Sequence, residues 1–183
     1  MRAGQLTSDE WQRVQAAYQA RKAQPPVRLV TGGGFTYRDI AAQARAWAVD
    51  GGLHILAVDY LGLVRTAGRA GERVNELDSL INDLKALAME LNITVLTFSQ
   101  LSKAGAGASP EEWKHYLRGS GAIEHAADVI LAVAPQGDRP DYGTDPWPLQ
   151  LAVTKHRGGP VGTVDALWWL AYSRIGEVTT RYA

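Results

Sequence analysis

Asp59, Gln100, the run Arg118-Gly119-Ser120-Gly121, and the pair Lys155 and Arg157 are polar groups of the types that handle phosphates. Phosphoryl transfer needs a carboxylate for a metal ion, a polar group near the terminal phosphate, and cations against developing negative charge. Asp59 could hold magnesium, Gln100 could meet a phosphate, and Lys155 and Arg157 could supply charge. Each also has a plainer role. Asp59 could cap a turn, Gln100 could be a satisfied strand-end amide, and the two cations could be solvated turn residues. The Lys-x-Arg alternation does place both cations on one face of an extended chain. Thr31-Gly32-Gly33-Gly34 is glycine-rich but lacks the lysine of a phosphate loop, so it reads as a simple loop. The histidines at 54, 115, 125 and 156 show no zinc-binding spacing, and His54 reads as a hydrogen-bonded core residue.

The elements that must position these groups follow from periodicity. Leu53 to Val58 is a near-continuous apolar run that predicts a strand buried on both faces, with Asp59 at its carboxyl end. Open α/β sheets place ligands at that end of their strands. Val74, Leu77, Ile81, Leu84, Ala88 and Leu91 recur three and four apart and predict a long amphipathic helix closed by Asn92. Ile93 to Phe98 is a second strand, ending in Ser99-Gln100, so the three elements form a βαβ unit. Upstream, Thr7-Ser8-Asp9-Glu10 is a capping box opening a helix that runs to Lys22, where Pro25-Pro26 stops it. Val27 to Val30 is a short strand candidate. Thr36 to Asp39 is a second box variant, and its helix ends at Gly51-Gly52. Arg65 to Arg73 and Lys103 to Ser109 read as loops, and Ser109-Pro110-Glu111-Glu112 opens a short helix. Ala122 to Ala127 is helical. Val129 to Ala134, Leu149 to Thr154 and Val161 to Leu170 are strands, the last two joined closely enough to form an antiparallel hairpin. Trp168 and Trp169 read as cross-strand packing rather than base stacking.

A chain of 183 residues with 46% hydrophobic content suits one domain with a sizeable core. Nineteen basic and 19 acidic side chains leave no global positive field, so nucleic acid would have to be met by local clusters. The absence of cysteine excludes disulfides, thiol catalysis and cysteine-ligated zinc. No run approaches the roughly 20 apolar residues of a membrane span, which leads to the expectation of a cytoplasmic protein with no membrane partner.

Several ordered stretches carry a family resemblance: Leu6-Thr7-Ser8-Asp9-Glu10-Trp11, Val58 to Leu63, Leu84 to Leu91, Ser99 to Ser102, Leu117 to Glu124 with Ala127-Asp128, and Lys155 to Gly162. On these motifs the chain resembles the DnaB-type replicative DNA helicases over nearly all its length. The resemblance implies an α/β, RecA-like ATPase fold. Its sheet would be mostly parallel with flanking helices and a C-terminal antiparallel hairpin, lacking the first strand and the phosphate loop. One partial domain would cover 1–183, with 1–52 a helical lead-in containing a short strand and 53–183 the sheet core.

The resemblance further implies that Asp59 holds Mg2+, that Gln100 senses the terminal phosphate of ATP, and that Lys155 and Arg157 reach into a neighbouring subunit's nucleotide site. A guanidinium suits that role because it stays charged and bridges phosphate oxygens. Arg118, Gly119, Ser120 and Gly121 would approach the backbone of single-stranded DNA inside a homohexameric ring, without sequence preference. Gly119 departs from the family, which usually has a glutamate there. Primase and helicase loader are further candidate partners. In the family the phosphate loop and the catalytic glutamate precede the first matching residue, so the 183-residue chain alone is expected to be inactive and marginally stable or oligomeric. Two alternatives stay open: a non-catalytic assembly or DNA-binding module that joins a helicase ring, and a related RecA-like ATPase of recombination or loading.

Overall fold

The computed structural model describes residues 6–24, 26–66, 73–100, 112–113, 120–141 and 145–178, with the backbone alone for 73–75 and 120. Contacts divide the chain into two units, 1–33 and 34–183. In the first, α1 (Ser8–Lys22) starts at the predicted capping box. The Thr7 hydroxyl accepts the Glu10 N–H at 3.3 Å, and the Glu10 carboxylate accepts the Thr7 N–H at 2.8 Å. The strand expected at Val27 to Val30 does not form. Those residues have no strand pairing, and Val27, Leu29 and Val30 are exposed. β-branched residues favour a strand only where a neighbouring strand supplies the ladder.

In the second unit α2 (Tyr37–Val49) is capped by Thr36, whose N–H and hydroxyl both donate to the Asp39 carboxylate. The lead-in expected over 1–52 therefore divides: α2 joins the sheet core, because Ala41 and Ala44 are buried against Leu56, Val58 and Leu87. Next come β1 (Ile55–Val58), α3 (Arg73–Leu91) and β2 (Thr94–Thr97). β1 and β2 pair in parallel from Ile55↔Thr94 to Val58↔Thr97, with α3 as the crossover. Asn92, at φ 50°, takes the left-handed conformation that ends α3. The burial expected on both faces of β1 is found on one. Leu56 and Val58 are buried, but Ile55 is 61% exposed, since α2 and α3 cover only the face bearing the alternate residues. His54 is likewise exposed rather than core, and lies in a bend where its carbonyl accepts the Thr94 N–H at 2.9 Å.

The remaining elements are α4 (Ser120–Ala126), β3 (Val129–Pro135), β4 (Trp147–His156), β5 (Gly162–Trp169) and β6 (Arg174–Glu177). The four strands form an antiparallel sheet in sequence order. The α/β class holds; among the described residues the parallel strand pair is β1 with β2, beside an isolated parallel bridge between Thr36 and Arg65, and the antiparallel part is larger than a hairpin. Short connections after β4 and β5 leave no room for a crossover helix, which parallel neighbours would require. Trp147 faces Trp168 across β4 and β5, and their rings stack with centroids 6.0 Å apart. A second apolar cluster, Leu61, Leu80, Ile81 and Leu84, gathers Val95 of β2 and Ala122, Ile123 and Ala126 of α4 around α3. The loops expected within 67–72 and 103–109, and the start of the helix expected at Ser109, lie outside the described residues. Among the described residues no helix is long and apolar enough to cross a membrane.

Candidate functional site

Asp59 and Gln100 leave the parallel pair at the same edge. The Phe98 N–H donates to the Val58 carbonyl at 3.4 Å, and the Leu61 N–H donates to the Phe98 carbonyl at 3.2 Å. These bonds zip the two strand ends together beyond the last paired residues, so the segments carrying Asp59 and Gln100 emerge side by side. Both residues are exposed. Among the described residues none hydrogen bonds to the Asp59 carboxylate or pairs with it. No cluster of three or more His, Cys, Asp or Glu residues that could hold a metal occurs among them either. A lone carboxylate fits magnesium, which keeps several waters and takes its other ligands from substrate phosphates. It does not fit an all-protein cation cage.

Lys155 and Arg157 belong to the other sheet, at the end of β4 and in the turn to β5. They are brought together, and they are not free. The Lys155 ammonium donates to the Glu124 carbonyl, and the Arg157 guanidinium donates to the His125 carbonyl at 2.8 Å. Both acceptors lie in the last turn of α4, where helix carbonyls lack intrahelical donors and the macrodipole favours cations. The Arg157 N–H also donates to the Asp128 carbonyl at 2.8 Å, and its guanidinium lies 3.6 Å from the Asp128 carboxylate. That carboxylate takes the Lys85 ammonium of α3 at 2.5 Å. Lys85 foremost, then Arg157 and Lys155, hold the Asp128 carboxyl below its ordinary value.

The turn itself is fixed by His156 and Gly159. The His156 ring donates from Nδ1 to the Pro160 carbonyl at 3.2 Å, and a side chain on Gly159 would collide with that ring. Asp128, which faces Arg157, and Lys85, which pairs with Asp128, are the residues that the sequence reading missed. They stand 43 positions apart, and the one available signal was the placement of Asp128 between a helix and a strand. Of the predicted DNA segment, Arg118 and Gly119 lie outside the described residues, while Ser120 and Gly121 form the first turn of α4. Among the described residues no hydrogen bond or ion pair joins Asp59 or Gln100 to Lys155 or Arg157.

Comparison with known proteins supplies the relationship. The replicative DNA helicase DnaB of Treponema pallidum is 32% identical over 175 residues, covering 96% of this chain and 38% of that protein. DnaB of Geobacillus stearothermophilus is 28% identical, covering 100% of this chain and 40% of the relative. The chain thus spans about two-fifths of the length of these curated relatives. Among solved structures, an ATPase domain superposes with a TM-score of 0.79 at 25% identity, covering 95% of this chain and 62% of that one. A DnaB-like replicative helicase, solved in a study of its interactions with primase, gives 0.80 at 24% identity over 98% of this chain and 45% of its own, a likeness of fold. The model of the DnaB-like helicase C terminal domain matches residues 1–177, and the chain belongs to that family.

Proposed function

We propose that this chain is the C-terminal motor part of a replicative DNA helicase, which couples ATP hydrolysis to translocation on single-stranded DNA and to duplex unwinding. The observation that carries the reading is the emergence of Asp59 and Gln100 from adjacent parallel strands at one sheet edge, in a chain of the DnaB-like family. Ligands of open α/β sheets sit at that edge.

Each residue then has a task. Asp59 would hold Mg2+, which when bound would supply positive charge against the ATP phosphates. Gln100 offers its amide to the terminal phosphate, so its position reports whether that phosphate is present. Lys155 and Arg157 exchange the α4 carbonyls for the phosphates of a neighbouring subunit, where charge-assisted bonds to phosphate are the stronger ones. Arg118 to Gly121 lies along the DNA backbone, with Ser120 and Gly121 presenting the start of α4. The assembly is a homohexameric ring in the cytoplasm that meets primase and a helicase loader.

The test is complementation between two inactive variants in an ATP-hydrolysing ring that contains this chain. Asp59→Asn and Arg157→Ala each lower DNA-stimulated turnover by about a thousandfold, the scale of losing a metal or an arginine finger. Rings mixed from both variants regain turnover, because some interfaces then join an intact Asp59 to an intact Arg157 of the next subunit. Mixed rings as inactive as the parents would refute action in trans. Full turnover by either variant alone would refute the assigned role of that residue.

A further inference from the structure

We propose that Asp128 is the positioning residue for the β4–β5 turn: with the last carbonyls of α4 it cradles Lys155 and Arg157, and through Lys85 it anchors them to α3. The consequence for turnover rests on the trans role proposed above, whereas the positioning itself does not.

Asp128 sits at the junction of α4 and β3 and uses three acceptor atoms. Its Oδ2 takes the Lys85 ammonium at 2.5 Å, its Oδ1 faces the Arg157 guanidinium at 3.6 Å, and its carbonyl takes the Arg157 N–H at 2.8 Å. The same guanidinium reaches His125, and Lys155 reaches Glu124, so one helix end meets both cations while the Asp128 carboxylate faces Arg157. Lys155 is aimed there by an irregularity in the ladder. Ile130 pairs with Lys155, but Leu131 pairs with Val153, which leaves Thr154 as an extra residue on β4. The buried Thr154 hydroxyl donates to the Ile130 carbonyl at 3.4 Å and closes this bulge. Bulges of this kind redirect a neighbouring side chain.

Exposure separates placement from folding. The Asp128 and Arg157 side chains are each 57% exposed, and ion pairs in that setting add little to stability. Lys85 and Arg157 on one exposed carboxylate therefore hold geometry more than they hold the fold together. The pull of Lys85, Arg157 and Lys155 on the Asp128 carboxyl fits that arrangement.

The experiment uses the 183-residue chain. Phenylglyoxal modification of Arg157 and acetic anhydride modification of Lys155 are followed by peptide mass spectrometry, with far-UV circular dichroism as the check on fold. Asp128→Asn raises Arg157 modification several-fold at unchanged dichroism, and Asp128→Glu restores the slow rate. An Arg157 rate indifferent to Asp128→Asn, or a glutamate variant as fast as the asparagine one, would overturn the proposal. If the asparagine variant fails to fold, the unsubstituted chain decides. Arg157 reacting more slowly than the exposed Arg38 supports the cradle, and equal rates overturn it. In an ATP-hydrolysing ring, Asp128→Asn lowers kcat at unchanged KM for ATP. A ring that needs Arg157 but tolerates Asp128→Asn overturns the positioning role. A ring indifferent to Arg157→Ala overturns only the trans reading.

Discussion

Replacing Leu87 by alanine tests whether the packing that carries β1 to the proposed nucleotide edge is the main source of its order. Leu87 is 0% exposed and packs with Ala41 and Ala44 of α2 and with Leu56 and Val58 of β1. Leucine to alanine removes the equivalent of about three methylenes, roughly 2.4 kcal/mol of transfer free energy at about 0.8 kcal/mol each. A cavity term adds to this, because Ala41 and Ala44 are too short to fill the void without moving α2. The total lies at about 4 kcal/mol, in the upper half of the range for buried leucines. Met89, two residues along α3 and 72% exposed, is the control, and its alanine variant costs within about 0.5 kcal/mol. Urea unfolding of the 183-residue chain, followed by far-UV dichroism, reads both from their midpoints at constant slope. In thermal unfolding the Leu87 variant melts roughly 8–16 °C lower, from about 2–4 °C per kcal/mol for a domain of this size. Equal midpoints for the Leu87→Ala and Met89→Ala chains would refute the reasoning.

Acid separates the Asp128 cradle from the rest of the fold. Its carboxyl titrates below the ordinary 3.8, held down first by Lys85, so its contribution to stability is complete above 3.8 and is lost as pH falls through the lower folded value. The urea midpoints of the native chain and of Asp128→Asn therefore differ by a small amount at neutral pH and converge in that acid window; a gap that stays constant with pH would count against the pairing. The turn offers a second contrast, since a Cβ at Gly159 meets the His156 ring while one at Gly158 meets open space. Gly159→Ala lowers the unfolding midpoint and Gly158→Ala does not, and equal midpoints would remove His156 as the fixed wall of the turn.

What could be read from the sequence was what short-range chemistry determines. Thr7 with Glu10 and Thr36 with Asp39 are capping partners three residues apart, and both boxes form as their spacing requires. The stripe on α3 and its end at Asn92 depend on helical periodicity and one left-handed residue, and both are present. The misses depend on what arrives from elsewhere in the chain. Ile55 lies within an apolar run, but burial needs a second covering layer, and α2 and α3 lie on the other face; His54 is exposed because it lies in a bend before β1 begins. Val27 to Val30 has strand composition without a strand beside it. For the candidate site, strand ends were enough to put the segments carrying Asp59 and Gln100 at the same sheet edge. The partners of Lys155 and Arg157 were hidden because Glu124, His125 and Asp128 meet them through tertiary packing of α4 against the sheet end, which no local pattern encodes.

The division of the candidate residues between two sheets bears on how a trans-acting cation could be stored. On the proposed reading, Arg157 must serve a phosphate that belongs to another subunit, so it needs an interim partner that is weak enough to leave. An exposed carboxylate 3.6 Å away and a helix-end carbonyl at 2.8 Å are such partners, since neither is desolvated enough to bind strongly. Phosphate, with its higher charge and paired oxygens, outcompetes them. Release strands little charge, because the exposed Asp128 carboxylate stays in water and keeps a second partner in Lys85. Its ammonium stays on the other oxygen of Asp128, at 2.5 Å, when Arg157 departs. The backbone bond from the Arg157 N–H to the Asp128 carbonyl does not involve the guanidinium, so the turn keeps its place while the side chain swings. α4 spans only seven residues, Ser120–Ala126, and the carbonyls that hold the cations lie in its last turn. If the start of α4 meets DNA as proposed, a displacement of that end of so short a helix would be felt at the cradle with little room for damping.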